Sequence, residues 1–97
     1  MHTNRLLIQG CTLELTCHAC PEQYDVYFED FQLGYLRLRY GSFSASYRGY
    51  EGAVVYSASP AGDGVFTDTE RMRYLNNAVT ALLDYHNKIT IEKLYEE

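Results

Sequence analysis

Apolar and polar positions alternate with a period close to two along residues 5–58, in short runs broken by turn residues. After Asp68 the period becomes helical. Leu13 and Leu15 alternate with Thr12, Glu14 and Thr16, the pattern of a half-buried strand. Residues 5–9 can pair with 12–16 across Gly10-Cys11, although Leu6-Leu7-Ile8 alone does not separate strand from helix. Pro21 breaks the chain. Tyr24, Val26 and Phe28 then share one side, and Asp25, Tyr27 and Glu29 the other. Asp30-Phe31 connects to residues 32–40, where Leu36, Leu38 and Tyr40 alternate with Tyr35, Arg37 and Arg39. Past Gly41, Phe43, Ala45 and Tyr47 alternate with three serines. Gly49-Tyr50-Glu51-Gly52 turns the chain into residues 53–58. Short links of this kind join antiparallel neighbours, because parallel pairing needs a long crossover.

Residues 59–67 read as a loop. Thr67 stands three positions before Glu70, the spacing of a capping box, in which hydroxyl and carboxylate satisfy the amides that open a helix. Met72, Leu75, Val79, Leu82, Leu83 and His86 follow at helical spacing, which predicts a helix over 68–86 with its apolar stripe on one face of the sheet. In the tail, 88–97, Ile89 and Ile91 alternate like a strand, whereas Ile91, Leu94 and Tyr95 suit a short helix. The expected fold is α+β: an antiparallel meander of four to six strands with one long C-terminal helix packed on one face, in a single domain over 1–97.

Composition narrows the function classes. The 97 residues are 46% hydrophobic and carry a formal charge of −5, with ten tyrosines and no tryptophan. That length supports one core. No apolar run approaches the ~20 residues that span a bilayer, and no basic, then apolar, leader opens the sequence, so a cytoplasmic protein without membrane attachment is expected. The acidic balance argues against sequence-independent nucleic-acid binding by the whole surface. Tyrosines, with their polar tips, belong at the edge of a thin core or on an open sheet face.

Three constellations bear on chemistry. Cys11, Cys17, His18 and Cys20 are the donor types of a tetrahedral Cys₃His zinc site, with His2 as an alternative fourth ligand. No cysteine follows Cys20, however, and Pro21 replaces the helix that a Cys-x-x-Cys redox site opens. Plain reduced thiols, with Cys11 half-buried, are the simpler reading, and no cofactor is expected beyond that zinc alternative. Tyr35, Arg37 and Arg39 share one side of a strand, with Tyr27 on its neighbour. This is a partner-binding face if the helix covers the other side, through contacts with a protein or stacking on single-stranded nucleic acid. Pairing of Arg37 or Arg39 with Asp25, Glu29 or Glu51 would make it an ordinary solvated face, and N-terminal strands folded over it would remove it. Ala61-Gly62-Asp63-Gly64 lacks the P-loop Lys-Ser/Thr and reads as a turn. His86 reads as an edge or capping residue, complementing the dipole at the end of the helix. No nucleophile, base and orienting group assemble, so no enzyme is expected.

Tyr24-Asp25-Val26-Tyr27, Gly34-Tyr35-Leu36-Arg37-Leu38-Arg39 and Gly62-Asp63-Gly64-Val65-Phe66 carry a resemblance. They make residues 24–83 resemble small proteins of unassigned activity from bacteriophages and mobile elements of Firmicutes-type bacteria. A fainter likeness is to antitoxins of HicB type, which follow a small sheet with a Gly-containing loop and a helix. This chain has Glu70-Arg71-Met72 where those helices open Glu-Glu-Ala, and no functional residue carries across. The combined expectation is a non-catalytic accessory or regulatory protein that binds another protein or its own copy. The alternatives are a single-stranded nucleic-acid binder and a small zinc-stabilised module.

Overall fold

The computed structural model describes residues 5–18, 22–39, 41–49, 51–60 and 67–95. Six strands form one antiparallel sheet in chain order: β1 (Arg5–Ile8), β2 (Cys11–His18), β3 (Glu22–Phe28), β4 (Phe31–Arg39), β5 (Ser42–Tyr47) and β6 (Val54–Ala58). One helix follows, α1 (Asp68–Tyr95). The expected α+β meander is therefore present, with six strands. The first hairpin turns on Gln9-Gly10 rather than Gly10-Cys11, with Leu6 opposite Leu13 and Ile8 opposite Cys11. Both turn residues have positive φ, 53° and 81°, the backbone of the two-residue turn whose twist matches its strands. The second link likewise sits one residue earlier than the pattern placed it, so that β4 begins at Phe31.

The alternation sorts side chains onto two faces. Leu13, Val26, Leu36, Leu38, Phe43 and Ala45 are buried beneath α1, which contributes Leu75, Ala78, Val79 and Leu82. Each fully buried Leu or Val is worth about 1.5–3 kcal/mol relative to exposure. Met72 lies on the margin of the stripe and is 46% exposed, while Ala78 belongs to the buried set. Helix and sheet approach closely at Gly34, opposite Leu82.

The capping box forms as expected. The Glu70 amide donates to Thr67 Oγ1 at 3.2 Å, and the Thr67 amide donates to Glu70 Oε1 at 3.1 Å. The helix does not stop near His86 but runs to Tyr95, because residues 87–95 contain neither Gly nor Pro to end it. This extension settles the described tail as helix. It also removes the helix-end role expected for His86, whose Nδ1 instead hydrogen-bonds the Tyr47 hydroxyl at 2.7 Å beside the Phe31 ring. Among the described residues no helix is long and apolar enough to cross a membrane.

A charged residue lies inside this apolar layer. Glu22, 2% exposed, begins β3 on the side of the sheet that α1 covers. Arg71 donates to it at 2.8 Å from Nε, and the Tyr24 hydroxyl donates at 2.5 Å. Burial, and then the Glu22 carboxylate, raise the Tyr24 phenol above its ordinary value of 10.0. Burial also raises the Cys11 thiol above 9.0. With a raised native pKa, the folded chain keeps a proton that the unfolded chain has released. These groups therefore contribute full stability below their unfolded pKa values, and the contribution declines as pH rises past them. Urea midpoints taken from about pH 8 to about pH 11 should fall, more shallowly in Tyr24→Phe. An equal slope in both proteins would show that Tyr24 is not responsible.

Candidate sheet-face interface

The N-terminal hairpin extends the sheet rather than folding across it, so among the described residues no element covers the face opposite α1. The register assembles that face strand by strand. Arg5 stands opposite Glu14, Glu14 opposite Asp25, and Asp25 opposite Tyr35. Tyr35 stands opposite Ser46, Arg37 lies between Gln23 and Ser44, and Arg39 faces Ser42. Tyr27 pairs with Thr12 on the same side. The four residues expected at a binding surface, Tyr27, Tyr35, Arg37 and Arg39, thus share one face.

They do not form one site, because the charges on the face are segregated. Toward β1–β3, Arg5, Thr12, Glu14, Tyr27 and Glu29 line a shallow depression of 360 Å³. Arg5 reaches Glu14 at 3.2 Å, and Asp25 accepts hydrogen bonds from Gln32, at 3.2 Å, and from Tyr27. Burial, and then the nearby Glu14, raise the Asp25 carboxyl above its ordinary value, as expected for an acid in a locally negative field. Burial, and then Asp25, raise the Tyr27 phenol. Three carboxylates and one arginine leave this patch at a formal −2.

Toward β4–β5, Arg37, Arg39, Ser42 and Ser44 line a 230 Å³ notch. Two guanidiniums make this patch a formal +2, and the serine hydroxyls add donors without charge. The Arg37 Nε is buried and has no hydrogen-bond partner. Such a donor carries a desolvation cost. Asp25, one of the three acids that the solvated-face alternative named, does not supply a partner, since that carboxylate accepts from Gln32 and Tyr27.

Thr12, Glu14, Ser42 and Ser44 are members of this surface that the sequence pattern did not single out. Their outward phase was present in the alternation, but which strand position each one opposes depends on the register.

The described members of the cysteine set do not come together as the zinc alternative requires. Cys11 is wholly buried, not half-buried, in the core under α1. It stands at one end of β2, six residues before Cys17, which at about 3.3 Å per residue puts the two roughly 20 Å apart. One metal ion cannot bind both, and Cys11 leaves the ligand set. In the register Cys17 opposes Gln23 and His18 opposes Glu22, whereas Cys20, His2 and the Ala61–Gly64 turn lie outside the described residues. Among the described residues no group of three His, Cys, Asp or Glu is placed to hold a metal. Neither a protein-family model, nor a curated protein, nor a solved structure matches this chain.

Proposed function

We propose that this chain is a non-catalytic accessory or regulatory protein, of the phage and mobile-element kind its sequence resembles, acting by protein–protein contact through the open face of its sheet. The observation that carries this reading is the divided face, with an acidic patch on β1–β3 and an arginine–serine notch on β4–β5. Complementary charge of this kind fixes the orientation and choice of a partner. Tyrosine and arginine are the residues enriched where such contacts are made. His86, the histidine whose surroundings are described, is used in packing against Tyr47 and Phe31.

The notch also favours a second reading. Two arginines beside Tyr35, with an unpartnered buried Nε, are suited to a phosphate of single-stranded nucleic acid. A photo-crosslinking residue placed at Thr12, Ser44 or Asn87, in the cell that encodes the protein, separates the two. Adducts should form at Thr12 and Ser44 several-fold more than at Asn87, which is exposed on α1. They should be sensitive to protease and resistant to nuclease. Nuclease-sensitive adducts confined to Ser44 would transfer the function to nucleic acid. Equal yields at all three positions would overturn the open-face reading.

A further inference from the structure

We infer that this face binds a second copy of the chain, stacked face to face about a two-fold axis, with Glu14 and Glu29 of each copy over Arg37 and Arg39 of the other. The inference rests on the protein-contact reading above and names the partner. A two-fold interface must be self-complementary, since each surface patch meets its counterpart twice. The face meets this requirement, with formal charges of −2 and +2 on opposite sides of Tyr35. An axis lying in the plane of the face and perpendicular to the line joining the patches places each over its opposite, both times. A partner carboxylate entering the notch meets the two guanidinium groups, and the serine hydroxyls can donate to its remaining lone pairs.

The area agrees with a modest dimer. Six strands about 4.8 Å apart, each about seven residues long, present roughly 600 Å² per copy and roughly 1,200 Å² for the pair. That is the lower limit of specific interfaces, so orientation and stability depend heavily on the charges. At the rim, Leu7 is 77% exposed on the same face, opposite Thr12, and a second copy would shelter it.

The experiment is sedimentation equilibrium, with native mass spectrometry, on the purified full chain at high micromolar concentration. The parent should show twice the 11.2 kDa chain mass and dissociate as salt rises. Arg37→Glu/Arg39→Glu opposes two acidic patches in both halves of the interface, and Glu14→Lys/Glu29→Lys opposes two basic ones. Each variant alone should be monomeric. Mixed one to one, they should form a heterodimer, because both halves become complementary again. Ser44→Asp provides a smaller change that holds even if a charge swap fails to fold. Its carboxylate fills the notch from within, and the folded variant should be monomeric. A monomeric parent, or a parent-like dimer in Ser44→Asp, overturns the inference. So does a mixture of folded charge-swap variants that remains monomeric. A monomeric parent that still crosslinks to other proteins through Thr12 and Ser44 would refute self-pairing and leave the protein-contact reading standing.

Discussion

Arg71→Ala should be among the most destabilising single substitutions in this protein, costing about 3 kcal/mol, although Arg71 sits in the first turns of the helix rather than in the core. The reason is Glu22. Its carboxylate is 2% exposed and takes Arg71 Nε at 2.8 Å and the Tyr24 hydroxyl at 2.5 Å. Removing one partner of a buried pair takes a hydrogen-bonded counter-ion from the charge that remains, which costs roughly 3–5 kcal/mol. We take the low end because the Arg71 side chain is itself 26% exposed, so water can partly replace it. With about 5–15 kcal/mol as the usual stability of a domain, this is a large fraction of the total. The melting temperature should fall by roughly 12 °C or more. Asp68 provides the control. It also contacts Arg71, at 2.7 Å, but is fully exposed, and Asp68→Asn should melt near the parent temperature. Glu22→Met/Tyr24→Phe/Arg71→Met should be closer to the parent than Arg71→Ala, since the ion pair and the buried hydroxyl that donates to it are replaced together by apolar side chains. If Arg71→Ala and Asp68→Asn melted together, Glu22 would not depend on Arg71.

Glu22 also marks a limit of the sequence pattern. Alternation identified Tyr24, Val26 and Phe28 as inward, and the same phase extended two residues back reaches Glu22. The break at Pro21 just before it and the charge of Glu22 give no sign that the strand already faces the core there. Its partner lies 49 residues away, on a helix turn that carries the capping box, and no local period reports such a distance. The face opposite was more legible, because Tyr35, Arg37 and Arg39 obey a strict period of two and Leu36 and Leu38 mark the buried side. What the alternation lacked was register. Ser42 and Ser44 join the arginines only because β5 pairs in one alignment with β4, and a one-residue slip would turn them under the helix. The cysteines show the complementary error. Closeness in sequence allowed a shared ion as an alternative, but an extended strand separates Cys11 from Cys17 by nearly its full length. The helix end was missed for another reason: β-branched Ile89, Thr90 and Ile91 lower helix propensity without ending a helix that is already propagating.

The bulge in β4 was also invisible to a simple period, and it sets up the second large effect. Val26 pairs with Gly34 and Tyr27 with Gln32, so Leu33 is the extra residue, and both Leu33 and Gly34 are buried. There the backbone of β4 comes directly against the helix. A Cβ on Gly34 would lie 2.6 Å from both methyls of Leu82 and 2.9 Å from the Ser46 carbonyl oxygen. Gly34→Ala should therefore cost about 1–3 kcal/mol, the usual cost of overpacking, and Gly34→Val should cost more. The Leu82 methyls can yield, but they are wholly buried, and the Ser46 carbonyl belongs to the strand next to β4. Leu82→Ala separates these contributions. Alone it opens a cavity and costs roughly 2–5 kcal/mol. In that background, however, two of the three close contacts are gone, and Gly34→Ala should cost less by about 1 kcal/mol or more, a coupling within the range for touching residues. Urea midpoints of the four proteins in this cycle give the coupling directly. Costs that simply add would mean that α1 does not rest on β4 at Gly34. Since the helix occupies that face, the same result would remove the reason for calling the opposite face the open one. Close seating at Gly34 and a Tyr35–Arg37–Arg39 row turned away from α1 are two consequences of one packing, read from the two sides of a single strand.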